Sequence, residues 1–370
     1  MLWHSKLLSL SALTLACLFT TSAFANDTTE YLVKDLTTSN VDLDQYWTPE
    51  RMKNAKPFPL PKIYKRAAKN IPNDVDPKDI VSGEGAPPTV KVDLDTKPLF
   101  KPVNHPVPPA SNDVGTSGEQ FSSSRIVPIT ADTAYPYSTV GKLFFTIPGQ
   151  GDFVCSASVL RPRVLLTAGH CMHKGSGGAG GFYTNWRFVP SFRNGAAPFQ
   201  TWTPRYVGVT GTWASGGGVV PNAADYGMME MFDRNISGVV RKLGSVTGFL
   251  GFQTLRLRPN HAHLLGYPCN LDSCNMMHQV TAQSSNVVVN NTVEYGSDMS
   301  NGSSGGPWVQ NFGNLAVGQT GGLNPGLNRV IGVTSFVYIS PNPKAEGSSI
   351  PDNRFVTLLN VICGHQAGNC

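Results

Sequence analysis

A serine at position 304 lies in the run Gly302-Ser303-Ser304-Gly305-Gly306, in which every side chain is small. Such a run leaves a hydroxyl uncovered and lets backbone N–H groups approach a substrate oxygen, as a nucleophile requires. Runs rich in Gly and Ser also form plain loops. We therefore expect a nucleophile here only if a base and an orienting acid occur elsewhere in the chain.

A candidate base is His170, in the run Thr167-Ala168-Gly169-His170-Cys171. The run follows three apolar residues typical of a strand, so the imidazole can project from a strand end into a cleft. A disulfide from Cys171 to Cys155 would brace this turn from behind, and a loop of that size is worth about 3 kcal/mol. A lone histidine is more often a core residue, but the cysteine beside it favours the catalytic interpretation.

A candidate acid is Asp225, which opens the apolar segment Tyr226-Gly227-Met228-Met229. A carboxylate that enters a buried strand needs a partner, because burying it unpaired is costly. An imidazole N–H is the partner that a catalytic triad supplies. The alternative is an aspartate that forms a turn before a strand. The three methionines that follow, Met228, Met229 and Met231, are expected to pack in the core.

The candidates occur in the order His170, Asp225, Ser304, as in chymotrypsin and unlike subtilisin or the α/β-hydrolases. The chain resembles the chymotrypsin-like serine peptidases, and most nearly the secreted bacterial branch that contains the glutamyl endopeptidases. The matching pieces are spread over residues 126–340: Thr167 to Cys171 with Cys155, Asp225-Tyr226, Gly266-Tyr267-Pro268, and Gly302 to Pro307. Three motifs in the correct order make the resemblance specific.

The resemblance implies an all-β fold of two six-stranded antiparallel β-barrels with the cleft between them. His170 and Asp225 would come from the first barrel and Ser304 from the second. His170 would act as general base toward Ser304 and then as general acid toward the leaving amine. The backbone N–H groups of Gly302 and Ser304 would form the oxyanion hole, which Gly302 permits because it lacks a Cβ.

The expected function is a secreted serine endopeptidase that works through an acyl-enzyme and is made as a precursor. Its partners would be protein or peptide substrates, and a monomer is expected. We expect no cofactor or metal: His261 and His263 have metal-like spacing but no nearby third ligand, so packing is favoured. The alternatives are a non-catalytic binding or adhesion protein on the same fold, and an esterase. The net charge of +5 is scattered, so a nucleic-acid surface is not expected.

The preferred substrate side chain stays open. Asp298 has the spacing to Ser304 at which trypsin-type enzymes hold the acid that selects Arg or Lys. Thr334 stands where glutamyl endopeptidases place a histidine, which argues against glutamate. With Met299 and Ser335 these residues are the candidates for substrate binding, and basic, acidic and small or apolar side chains all remain alternatives. Residues 335–337 are a candidate edge for pairing with the substrate backbone.

Activation is also expected to differ from that of the trypsin-type enzymes. Ser303 precedes the nucleophile where those enzymes have an aspartate that receives the new N-terminal amine. Arg125-Ile126-Val127 nevertheless looks like an activation cut. We hypothesise processing near that point, with the new amine used differently.

The elements that must position these residues are short strands separated by turns. We expect barrel 1 over about 126–235 and barrel 2 over about 240–345, with a short helix over Asp352–Ile362. Predicted strands span 140–147, 154–160, 163–167, 206–209, 226–232, 263–266, 286–293, 307–310 and 330–337.

The first 125 residues read differently. Residues 1–25 have the pattern of a secretory signal, with an apolar run over 7–19 and a cleavage site at Ala23-Phe24-Ala25. That run is too short to span a bilayer comfortably. Residues 26–125 are interpreted as a propeptide and linker, with 13 of the 28 prolines between Pro49 and Pro109. Proline at that density prevents long helices and central strands. The alternative is a disordered spacer; 112–124 reads as the linker itself.

Six cysteines remain if Cys17 leaves with the signal, and an even number in an exported chain suggests disulfides. Six cysteines allow about 15 pairings. Nearest-neighbour pairing is the economical prediction and would give Cys155–Cys171, Cys269–Cys274 and Cys363–Cys370.

Overall fold

The computed structural model describes residues 1, 30–37, 41–63, 77–101, 119–288, 291–314, 324–338 and 344–370, with backbone only for 286–288. Apart from Met1, the predicted signal peptide and its cleavage site lie outside the described residues. The described chain is all-β with few helices, as the sequence predicts. None of its helices is long and apolar enough to cross a membrane.

The region before residue 126 forms short elements that lie against the barrels. Its strands and helices are β1 (Tyr31–Asp35), α1 (Leu43–Tyr46), α2 (Pro49–Asn54), β2 (Lys56–Pro57), β3 (Lys62–Ile63), β4 (Ser82–Gly83) and β5 (Phe121–Arg125). The prolines do keep these strands short or at sheet edges. They do not keep the region apart, because all five strands pair with strands of the barrels.

The first sheet contains the strands expected of barrel 1. They are β6 (Val140–Ile147), β7 (Gly151–Val159), β8 (Val164–Thr167), β9 (Thr184–Pro190), β10 (Pro204–Thr210) and β11 (Gly227–Met231), with α3 at Gly211–Ala214. The strand order is β1-β10-β11-β8-β7-β6-β9, and β2 adds to β7 in parallel. Strand β11 is buried along its whole length, and its three methionines lie in the core as predicted.

The second sheet follows a small hairpin. The elements are β12 (Arg234–Ile236), β13 (Val239–Arg241), α4 (Leu243–Thr247), β14 (Gly251–Gln253), β15 (His261–Gly266), β16 (His278–Val288), β17 (Thr292–Gly296), β18 (Pro307–Gln310), β19 (Arg329–Val333), β20 (Phe336–Tyr338) and β21 (Ala345–Ser349). The order is β3-β20-β21-β17-β16-β15-β18-β19-β14-β4, with β5 on β16. Its core is built around Trp308 and Tyr295, whose ring centroids are 4.8 Å apart.

Two predicted strands are each divided in two. The run 286–293 contains the end of β16 and the start of β17, because Asn291 between them adopts a left-handed conformation with φ of 57°. The run 330–337 is divided into β19 and β20 by Thr334 and Ser335. Residues 121–124 were expected in the linker and instead belong to β5, whose side chains alternate between buried and exposed as it pairs with β16.

Helix α5 (Asn353–His365) agrees with the predicted C-terminal helix. The side chain of Asp352 accepts a hydrogen bond from Arg354 N at 3.0 Å and so caps its first turn. The helix packs on β10 and β11 through its buried face, where the rings of Phe355 and Tyr226 meet edge-to-face at 5.1 Å. It therefore supports the strand that follows Asp225.

Candidate active site

His170 lies in a short 3₁₀ turn, Gly169–Cys171, that follows β8. Any Cβ at position 169 would lie 2.7 Å from Trp213 Cγ and 3.0 Å from Asp225 Oδ1, so only glycine fits there. Behind the turn, Cys171 is bonded to Cys155 of β7 with an S–S distance of 2.04 Å. The glycine and the disulfide together fix where the imidazole points.

Asp225 is fully buried, and its carboxylate accepts three hydrogen bonds. Its Oδ2 lies 2.7 Å from His170 Nδ1 and accepts the hydroxyl of Ser335 at 2.6 Å, while its Oδ1 accepts His170 N–H at 2.9 Å. A carboxylate held in this way places the imidazole proton on Nδ1. His170 Nε2 is then the basic atom that can take a proton from a nucleophile.

The loop that carries Ser304 is shaped by glycines with positive φ. Gly302 has φ of 96°, and a Cβ there would lie 2.5 Å from Tyr267 O and 3.0 Å from the sulfurs of Cys269 and Cys274. Gly305 has φ of 75°, and a Cβ there would also lie too close to atoms of Thr167 and Ser156. Only residues without a Cβ can make this turn.

Within the described chain, some backbone donors of this loop have a protein acceptor and others do not. Ser303 N–H bonds to Ser300 O, Gly305 N–H to Thr334 O and Gly306 N–H to Ser303 O. No acceptor is found among the described residues for the N–H groups of Gly302 and Ser304, the predicted oxyanion donors. Backbone donors that are left free beside a nucleophile can hold a developing negative charge.

Ser156 was not found from the sequence, and it joins the nucleophile loop to barrel 1. Its N–H donates to Ser304 O at 2.7 Å, and its hydroxyl donates to Gly302 O at 2.8 Å. The same hydroxyl accepts Tyr267 N–H at 2.9 Å. A single serine in a buried strand carries no signal of this role, because all its partners are distant in sequence.

Glu346 was also missed, although it lies directly behind the nucleophile loop. Its fully buried carboxyl accepts the hydroxyl of Ser303 at 2.8 Å and that of Thr334 at 3.3 Å. Burial, with the charge of Asp298 as a smaller cause, raises its pKa to about 8 even though the hydrogen bonds it accepts act to lower it. This acid therefore stands behind Ser303, in a chain that lacks the aspartate expected at that position.

The four predicted substrate-binding residues do not share one environment. Ser335 bonds to Asp225, and Thr334 accepts a hydrogen bond from Trp308 Nε1 at 3.0 Å. Met299 is 1% exposed and packs in the second core. Asp298 is partly buried, which raises its pKa, and its Oδ1 has no hydrogen-bond partner among the described residues.

The two reacting atoms are both shielded from solvent. Among the described residues, neither Ser304 Oγ nor His170 Nε2 has a hydrogen-bond partner, and they are not bonded to each other. The ring of Phe58, from the region before the barrels, stacks on the imidazole with centroids 5.6 Å apart. Catalytic hydrogen bonds are often long before substrate binds, so this geometry is compatible with a triad.

The cysteines are joined as nearest-neighbour pairing predicts, in Cys155–Cys171, Cys269–Cys274 and Cys363–Cys370. Cys155, His170 and Cys171 lie close enough to suggest a metal site, but both sulfurs are in the disulfide and are not free to ligate. His263 packs against Phe312 at 5.3 Å and His261 is exposed, as expected for strand residues.

Comparison with solved structures identifies the class of fold. Protease Anisep from Arthrobacter nicotinovorans is 26% identical, covers 65% of this chain and 99% of its own, and superposes with a TM-score of 0.52. A thermostable serine protease, AL20, from an extremophilic microorganism is 24% identical over 64% of this chain and 100% of its own, with a TM-score of 0.50. A Glu endopeptidase is 17% identical over 68% and 100%, with a TM-score of 0.48.

No protein-family model matches the sequence, and no curated protein matches it either. The fold is that of the chymotrypsin-like serine proteases, as the sequence predicts. Its site contains a buried Asp–His pair beside a serine on a glycine-rich loop.

Proposed function

We propose that the chain is a secreted serine endopeptidase with His170, Asp225 and Ser304 as its catalytic triad. The observation that carries the proposal is the buried Asp225, which holds both the backbone N–H and the Nδ1 of His170. A merely structural aspartate would not need to hold both the backbone and the ring of the same histidine. The protease fold shared with Anisep, at 26% identity, supports the same reaction class.

In this mechanism Ser304 Oγ attacks the carbonyl carbon of the peptide bond while its proton passes to His170 Nε2. Asp225 stabilises the imidazolium, and the N–H groups of Gly302 and Ser304 hold the oxyanion. One such donor is worth roughly 2.7–4 kcal/mol. The imidazolium then protonates the leaving amine as the C–N bond breaks and the acyl-enzyme forms. Water repeats the steps and releases the carboxylic acid.

Export and precursor status are part of the proposal. The signal pattern of residues 1–25 and the disulfides support export, and the elements before residue 126 support a precursor that is folded onto its own protease domain. The hypothesised cut at Arg125–Ile126 meets an obstacle here. Arg125 is paired in β5 and bonded to the buried Asp272 at 2.8 Å, and Ile126 is itself buried. Processing there requires β5 to separate first.

We further propose a preference for basic side chains on the acyl side of the cleaved bond. Asp298 and Glu346 lie close enough for the charge of one to raise the pKa of the other. Glu346 keeps its proton below its raised pKa, so Asp298 supplies the negative charge beside the nucleophile loop. Its Oδ1, which has no hydrogen-bond partner among the described residues, favours a cation over an anion. A peptide library should show preference for Arg and Lys, and Asp298→Asn should weaken it. Equal cleavage after Glu would contradict this proposal and leave the triad intact.

The triad is tested by long incubation with a fluorophosphonate, followed by peptide mapping. Ser304 should carry the adduct, Ser304→Ala should abolish it, and Ser303→Ala is the matched control because it alters the neighbouring hydroxyl. Absence of any adduct in all folded forms would favour the non-catalytic binding protein. Cleavage of ester but not peptide substrates would favour the esterase.

A further inference from the structure

Residues 56–63, the cleft segment, cross from one barrel to the other beside the nucleophile. The segment reads Lys-Pro-Phe-Pro-Leu-Pro-Lys-Ile. It joins β7 at one end and β20 at the other, in both cases running parallel to its partner strand. It thus lies across the face where β7, the nucleophile loop and β20 come together.

The cleft segment is held by a hydrogen bond to each of these three parts. Phe58 N–H donates to Val154 O of β7 at 3.0 Å, and Leu60 N–H donates to Asn301 Oδ1 at 2.9 Å. Pro61 O accepts Val337 N–H of β20 at 2.9 Å. Asn301 directly precedes the oxyanion glycine, and Val337 belongs to the strand expected to pair with substrate. The cleft segment therefore uses backbone groups that a bound peptide would need.

One side chain of the cleft segment covers the imidazole, and another is buried beside the nucleophile loop. The ring of Phe58 stacks on His170, and Leu60 is 1% exposed. Ser304 Oγ and His170 Nε2, which must meet a substrate, are both inaccessible to solvent and without partners in the described chain. A nucleophile that is exposed for catalysis would not be sealed in this way.

The prolines explain how such a segment can remain intact. Every peptide bond from Lys56 to Lys62 has a proline on one side. In the three bonds that precede a proline, the leaving nitrogen is part of the proline ring and has no N–H. In the three bonds that follow a proline, the residue on the acyl side has its φ fixed by the ring. The two N–H groups between the prolines, of Phe58 and Leu60, are the ones that bond to the protein. Alternating proline also pre-sets an extended chain, which lowers the entropy lost on docking.

The rest of the region anchors the cleft segment to barrel 1. Trp47 Nε1 donates to Asn185 O at 2.6 Å, and its ring meets Phe144 edge-to-face at 5.6 Å. The contacts of Trp47 keep the cleft segment at high local concentration beside the site. Arg51 pairs with Asp152 at 3.0 Å, and because its side chain is half exposed this ion pair adds little to the anchoring.

We propose that the cleft segment is a built-in, cleavage-resistant peptide ligand that occupies the substrate groove and keeps the enzyme latent. The groove is accordingly a binding site for extended peptides with alternating proline, which would act as inhibitors rather than substrates. The proposal rests on the proposed serine peptidase function. Release of the cleft segment, by proteolysis elsewhere in the preceding region or by displacement, would open the site.

The test measures the rate at which a fluorophosphonate labels Ser304 in the full chain. Phe58→Ala/Leu60→Ala should label roughly 10- to 100-fold faster than wild type, because two side chains that hold the closed state are lost. Arg51→Ala is the matched control, since it removes an exposed ion pair of the same region, and it should label at the wild-type rate. Leu60→Ala alone should accelerate labelling by a smaller factor. This single variant replaces the double variant in the test if the double variant does not fold.

Adding the amidated peptide Lys-Pro-Phe-Pro-Leu-Pro-Lys to the opened variant should slow labelling again, while a peptide of the same composition in scrambled order should not. Equal rapid labelling of wild type and variants, absent only from Ser304→Ala, would overturn latency and leave the peptidase standing. Failure of every folded form to label would instead overturn the peptidase, and the latency proposal with it.

Discussion

The buried carboxyl of Glu346 should make the stability of the protein fall as pH rises. Its carboxyl has no exposure to solvent, and burial raises its pKa from 4.5 to about 8. Between those values the folded protein holds a proton that the unfolded chain has released. Linkage then lowers the free energy of unfolding as pH rises through this window, and the loss is complete above about pH 8.

The size of the effect follows from the pKa. Moving a carboxyl pKa from 4.5 to about 8 corresponds to roughly 5 kcal/mol at 25 °C. Glu346→Gln keeps an oxygen for the hydroxyl of Ser303 but cannot ionise. The variant should therefore match wild type near pH 4.5 and exceed it increasingly toward pH 8.

Urea unfolding of both proteins at several pH values from 4.5 to 8 measures this difference. Other titrating groups contribute equally to both proteins, so the difference between the curves reports Glu346 alone. Asp298→Asn provides a second comparison, because removing that charge should lower the pKa of Glu346 and so reduce the total loss of stability. Parallel curves for wild type and Glu346→Gln would refute the reasoning.

Three further outcomes are expected. Replacing Cys155 and Cys171 by alanine should cost about 3 kcal/mol in urea unfolding, and an unchanged midpoint would show that the disulfide does not brace the histidine turn. Ser156→Ala should lower kcat by roughly tenfold with little change in KM, because the oxyanion loop loses its hydroxyl tie to barrel 1; a change confined to KM would contradict that role. Burial lowers the pKa of Lys142 to about 7, so the folded protein gains stability as pH rises from about 7 toward 10.5. Lys142→Met should be more stable than wild type below pH 7, with the gain disappearing at high pH, and a gain independent of pH would argue against a buried ammonium group.

Local patterns explain what the sequence could predict. Strands β6 and β18 have the predicted bounds because their apolar runs end at turn residues. The three triad candidates were found because each lies in a short motif whose residue types are dictated by its own backbone. Gly302 illustrates this, since its positive φ and close contacts require glycine.

Partnerships between distant residues explain what was missed. Ser156 and Glu346 have ordinary sequence surroundings, and their roles arise from contacts with a loop more than 40 residues away. The region before residue 126 shows the same limit. The elements in its described residues are short, as its prolines predict, but nothing local shows that Phe58 reaches His170.

The bond between Ser335 and Asp225 is a third case. The sequence predicts Ser335 as a substrate-binding residue, and in the structure its hydroxyl donates a hydrogen bond to Asp225 Oδ2 at 2.6 Å. The position of Ser335 at the edge of a strand could be inferred from the apolar run around it. The direction of a single hydroxyl depends on how the two barrels pack, which no local pattern encodes.

The most direct test of the account is the site of covalent modification in the opened variant Phe58→Ala/Leu60→Ala. After reaction with a fluorophosphonate, peptide mapping should find one adduct, on Ser304, that is lost when His170 is replaced by alanine. An adduct on another serine, or none on folded protein, would contradict the assignment of Ser304 as the nucleophile.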